Sequence, residues 1–87
     1  MFKKLKILNK KGLHARPAAK LVKTINDFSA NISIIKGEKI INAKSIIGVL
    51  TLAVGNGEKI TMKAVGPDAQ DAVDTIECLI KSKFDEE

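Results

Sequence analysis

The sequence predicts an α+β fold, a four-stranded and mainly antiparallel sheet covered on one face by helices, in the order β-α-β-β-α-β-α. Three observations carry this: strand-like apolar segments at Phe2 to Leu8, Asn31 to Asn42 and Lys59 to Val65, helical apolar stripes starting at Pro17 and Ala69, and glycine or proline breaks between them. Short connections favour antiparallel neighbours and leave the helices together on one side. A chain of 87 residues makes one domain, 1–87, too small for two lobes around a substrate cleft. No apolar run approaches the roughly 18 residues of a membrane span, and no signal-peptide pattern opens the chain. A cytoplasmic monomer without membrane insertion is the expectation.

Taken in order, Phe2 to Leu8 alternates imperfectly through Leu5 and Ile7, as a strand with one wet face does, and Asn9-Lys10-Lys11-Gly12 breaks it. From Pro17, the positions Ala18, Leu21, Val22 and Ile25 follow helical spacing, with Pro17 read as the first helical residue and the end near Asp27. Asn31 to Lys36 and Lys39 to Asn42 read as a hairpin around Gly37. Ser45 reads as an N-cap and Gly55 as the stop of a short helix. Ile46, Val49, Leu50 and Ala53 suffice for its buried face, which leaves Ile47 and Val54, flanking Thr51, as either a second buried side or a docking patch. Lys59 to Val65 alternates as a strand and ends at Gly66-Pro67. The last helix stacks Ala69, Ala72, Val73, Ile76, Leu79 and Ile80 on one face, with Asp68, Asp71 and Asp74 early and Lys81 and Lys83 late, as the helix dipole prefers. An acidic tail, Asp85-Glu86-Glu87, closes the chain.

The net charge of +5 is unevenly spread: residues 1 to 45 hold eleven Lys/Arg against two acids, and residues 46 to 87 hold four against eight. Such asymmetry marks an electrostatic partner surface. Nucleic acid is disfavoured, because Tyr and Trp are absent and three Phe make no stacking platform. An acidic protein surface fits better, and a small interaction or nucleic-acid-binding domain using the basic half without chemistry is the competing reading. One Cys and one His cannot supply a structural zinc site, Cys78 is expected to be an exposed thiol without a role, and no cofactor is called for.

The chemistry concentrates at Leu13-His14-Ala15-Arg16-Pro17-Ala18, where the only histidine precedes a helix start. Histidine receives a phosphoryl group and hands it on, since a neutral imidazole is nucleophilic and the product bond is labile. The positive end of a helix and its open N–H groups, with Ala15 and Arg16 as phosphate-binding candidates, welcome an anion, and the Arg16 guanidinium adds forked donors. No Ser, Thr, Asp or Asn lies among Leu13 to Pro17 to cap that end. There is no second histidine and no Gly-rich nucleotide cradle, so the chain holds an acceptor without the means to activate a donor.

Leu13-His14-Ala15-Arg16-Pro17-Ala18-Ala19 and Lys44-Ser45-Ile46-Ile47-Gly48-Val49, about thirty residues apart, resemble the two signatures of HPr, the histidine-containing phosphocarrier family of the bacterial sugar phosphotransferase system. The resemblance covers essentially the whole chain and implies an open-faced β-sandwich with four antiparallel strands under three helices. It implies phosphorylation of His14 through Nδ1 by enzyme I, ultimately from phosphoenolpyruvate, with Arg16 as electrostatic partner and enzyme II A domains as recipients. It further implies regulatory phosphorylation of Ser45 by an HPr kinase/phosphorylase, and a docking face that adds Ala19, Lys23, Ile46, Ile47 and Thr51. Variant branches of the family serve nitrogen-related regulation or a dihydroxyacetone relay. Lys11 departs from the small polar residue usual before Gly12 and adds positive charge beside His14.

Overall fold

In β4 (Lys59–Val65), Ile60, Met62 and Ala64 are buried while Lys59, Lys63 and Val65 are exposed, the alternation of a strand with one covered face. The computed structural model describes residues 1–85. The other strands are β1 (Phe2–Lys6), β2 (Asn31–Lys36) and β3 (Lys39–Asn42), and the sheet order is β1-β4-β2-β3, every pair antiparallel. Leu5 lies opposite Ile60, and Ile34 lies opposite both Met62 and Ile41. A slip of one residue would turn these core side chains to solvent, so burial itself fixes the register.

The covering layer consists of α1 (Ala15–Ile25), α2 (Ile46–Thr51) and α3 (Ala69–Lys81). Ala18, Leu21 and Ile25 of α1 and Ala72, Val73, Ile76 and Ile80 of α3 meet the inner strand residues in one core. The predicted β-α-β-β-α-β-α order and the open-faced sandwich are therefore found. The chain adds a closing turn at Lys83–Asp85, whose Lys83, Phe84 and Asp85 have φ of 56°, 57° and 57° and whose Phe84 is completely buried. Of the acidic tail, Asp85 belongs to this turn, and Glu86 and Glu87 lie outside the described residues.

Four boundaries and faces differ from the sequence expectation. β1 ends at Lys6 rather than Leu8, although Ile7 still exchanges backbone bonds with Gly57 and Glu58. Helix α1 starts at Ala15, so Pro17 is its third residue and not its first, a position equally free of the need for an N–H. Helix α2 stops at Thr51 with Leu52 as C-cap, and Ala53, at φ 49°, makes the left-handed exit that Gly55 was expected to provide. Lys36 permits this early stop, its Nζ donating at 3.0 Å to the carbonyls of Leu52 and Ala53 and so neutralising the negative end of the helix. Once α2 ends there, Val54 falls into the core, while Ile46, Leu50 and above all Ile47, 73% accessible, remain outside. The spare apolar surface of α2 is thus Ile46, Ile47 and Leu50, not Ile47 and Val54.

By sequence, Asp68 belongs with the acids that favour the start of α3. It stands at the N-cap without capping; its carboxylate accepts instead from the Ser29 and Ala30 N–H groups, each at 2.8 Å. Gly66, at φ 151°, allows that approach, since a Cβ there would lie 2.7 Å from Ala30 Cα. These bonds hold the Asp68 carboxyl below its ordinary range, the Ser29 N–H contributing most.

Candidate functional site

His14 is exposed at the N-cap of α1, in extended backbone (φ −85°, ψ −173°), and its ring makes no capping hydrogen bond. Buried residues hold the backbone on both sides. Before it, Leu13 is 4% accessible and its N–H donates to Val54 O at 2.8 Å; after it, Ala18 is buried and its N–H donates to His14 O at 2.9 Å. An exposed segment, His14-Ala15-Arg16, is thereby stretched between two fixed points.

The helix start explains the electrostatics. Ala15 and Arg16 occupy the first two helical positions, whose N–H groups point out of the helix end, and Pro17 has none to add. No acidic residue sits in the first turn, so the positive end of an 11-residue helix opens at the histidine. The exposed Lys10 and Lys11 enlarge the positive field of the neighbouring loop.

Residues that sequence reasoning passed over set the rigidity of this loop. Asn9, read as part of a polar break, is completely buried; its Nδ2 donates to Lys83 O at 3.0 Å, and its carbonyl accepts from Gly12 N–H at 3.0 Å and Asn56 Nδ2 at 2.9 Å. Gly12 has φ 69°, and a Cβ there would press on Val54 O and lie 2.7 Å from Gly55 Cα, so only glycine fits. The wall it meets is held by Glu58, whose carboxylate accepts from Gly55 N–H at 2.6 Å and pairs with Lys36 at 3.2 Å. Both contacts, Gly55 foremost, lower the Glu58 pKa. No local sequence signal marks Asn9, because its partner lies in the closing turn, where Lys20 Nζ also donates to Phe84 O at 2.9 Å.

The remaining candidates lie on the helical layer. Ala19 and Lys23 of α1 and Ile46, Ile47 and Thr51 of α2 are all exposed, and α1 and α2 pack on each other. The Thr51 hydroxyl is turned back onto Gly48 O at 2.6 Å. Ser45 caps α2 as predicted, its Oγ accepting from Gly48 N–H at 3.2 Å. Cys78 is exposed. Among the described residues no group of three or more His, Cys, Asp or Glu could hold a metal, and no helix is long and apolar enough to cross a membrane.

Residues 2–82 match the family model described as the PTS HPr component phosphorylation site. The chain belongs to the HPr family. It is 48% identical over 80 residues to phosphocarrier protein NPr of Shewanella violacea, covering 92% of this chain and 88% of that one. HPr-C-His of Thermoanaerobacter tengcongensis is similar in structure with a TM-score of 0.96 at 44% identity, covering 100% and 98% of the two chains. An HPr dimer from the same organism gives a TM-score of 0.79 at 45% identity over 92% of each chain. As an HPr-family member the chain is a phosphocarrier of the phosphotransferase system.

Proposed function

We propose that His14 is the phosphoryl acceptor, taking the group from phosphorylated enzyme I, charged by phosphoenolpyruvate, and passing it to enzyme II A domains for sugar uptake. The observation that carries this reading is an exposed histidine, free of capping bonds, at the positive end of α1. The Nδ1 lone pair attacks phosphorus, an N–P bond forms, and the donor's bond to phosphorus breaks with its electrons returning to the donor atom. The arriving oxygens meet the outward N–H groups of Ala15 and Arg16, and the Arg16 guanidinium balances charge in the transfer state. Transfer onward is the same step with roles exchanged. The protein supplies position and charge, and the partners supply the remaining catalytic groups.

Docking in this reading uses Ala19, Lys23, Ile46, Ile47 and Thr51 around the histidine, with exposed Ile47 as the apolar centre. Ser45 is the regulatory position, phosphorylated by an HPr kinase/phosphorylase where the host has one. The carrier acts as a cytoplasmic monomer without cofactor, and size-exclusion chromatography distinguishes this from an assembly like the solved HPr dimer.

Incubation with phosphoenolpyruvate and a competent enzyme I, followed by intact mass measurement before and after brief acid treatment, tests the reading. One acid-labile phosphoryl group on the wild type and none on His14→Ala is the expected result; an unchanged mass would defeat it. Running the assay with enzyme I paralogues separates sugar uptake from the nitrogen-related and dihydroxyacetone-relay branches.

A further inference from the structure

The four strands FKKLK, NISIIK, KIIN and KITMKAV hold seven lysines and no acid. Three of these lysines are not free for the outer face in the same way: Lys3 pairs with Glu77 of α3, Lys36 caps α2, and Lys39 stands opposite Lys36 in the register. The other four, Lys4, Lys6, Lys59 and Lys63, alternate with buried Leu5, Ile60, Met62 and Ala64 and so project from the uncovered face. Lys6 lies directly opposite Lys59, a like-charge pair that costs stability and that no acid on the strands relieves. Nothing in the fold requires it.

The same face carries large apolar side chains in water. Phe2 is 64% accessible, Ile40 68% and Val65 54%, and Lys63 Nζ lies 5.8 Å from the Phe2 ring centroid. Ammonium groups on long stems interleaved with apolar tips match a layer of anionic headgroups above acyl chains, where lysines meet phosphate and the apolar groups enter the boundary. Nucleic acid is the poorer match, since the face offers no arginine and Phe2 is its only aromatic ring. We infer that the open sheet face is a docking surface for anionic phospholipid membranes, leaving the helical layer with His14 turned toward its protein partners.

Co-sedimentation with vesicles of phosphatidylglycerol and phosphatidylcholine in equal parts, against vesicles of phosphatidylcholine alone, tests this. Binding to the anionic vesicles should be about tenfold stronger or more and should weaken as salt rises. The combined variant Lys4→Gln, Lys6→Gln, Lys59→Gln, Lys63→Gln should fall to the level of neutral vesicles. Its circular dichroism and its phosphorylation by enzyme I should stay unchanged. Phe2→Ser with Ile40→Thr should weaken binding severalfold while keeping the salt dependence. Equal partition to both vesicle types, wild-type binding by the lysine variant, or tighter binding to a short DNA duplex than to anionic vesicles would each overturn the inference.

Discussion

The Ser45 hydroxyl accepts from Gly48 N–H and occupies the N-cap of a six-residue helix, so its loss has a definite cost. Ser45→Ala should destabilise the protein by about 1 kcal/mol, read as a lowered urea midpoint at unchanged slope. Ser45→Glu should behave differently, because negative charge at a helix start is compatible with the dipole. Helicity by circular dichroism should be retained while phosphate acceptance from enzyme I slows, the charge lying two residues before Ile47 of the proposed docking patch. Loss of helicity would refute this account of Ser45. The Ser45 cap and the place of His14 at a helix start are both legible, because each depends on residues within a few positions: a cap needs only the turn it closes, and a helix start only the pattern that follows it. Asn9 was not. Its side chain donates to the carbonyl of Lys83, 74 residues away, and a polar residue in a Lys-rich break carries no local sign of such a partner.

Helix α2 shows why element ends were less legible than elements. Gly55 was the obvious stop by propensity, yet Lys36 from a different strand satisfies the carbonyls of Leu52 and Ala53 and ends the helix earlier. Ala53 then bears the left-handed conformation that glycine adopts without strain. Ala53→Gly relieves roughly 1–2 kcal/mol of backbone strain and returns about half of it as chain entropy in the unfolded state. The expected outcome is a higher thermal midpoint, a net gain of up to about 1 kcal/mol. A lower midpoint would show that Ala53 is not strained. The early end also moves Val54 from the helix surface into the core, since a helical face extends only as far as the helix does. In α1 the difference is smaller in effect: moving the start from Pro17 to Ala15 brings the N–H groups of Ala15 and Arg16 into the first turn, and the helix still begins beside His14.

The strands and long helices are readable because their periodicity is written in the residues that make the core, whereas the polar contacts that join distant segments follow no local pattern. Asp68 is one of these, fastening the start of α3 to the residues entering β2 through Ser29 and Ala30. Its folded carboxyl keeps its charge to lower pH than the unfolded one, so the clasp favours folding at neutral pH. That contribution is present above the ordinary aspartate range and disappears as pH falls below about 4 toward the lowered folded value. Asp68→Asn replaces one accepting oxygen by an NH2 group that cannot receive either backbone N–H, and it no longer titrates. The variant should therefore melt below the wild type at pH 7, with the gap narrowing steadily on acidification. Glu58, whose pKa is also lowered, titrates in both proteins and cancels from the comparison. Thermal melts followed by circular dichroism across this range give the test. A gap independent of pH would mean that the loop between α1 and β2 is held by packing against Gly66 and not by the charge of Asp68.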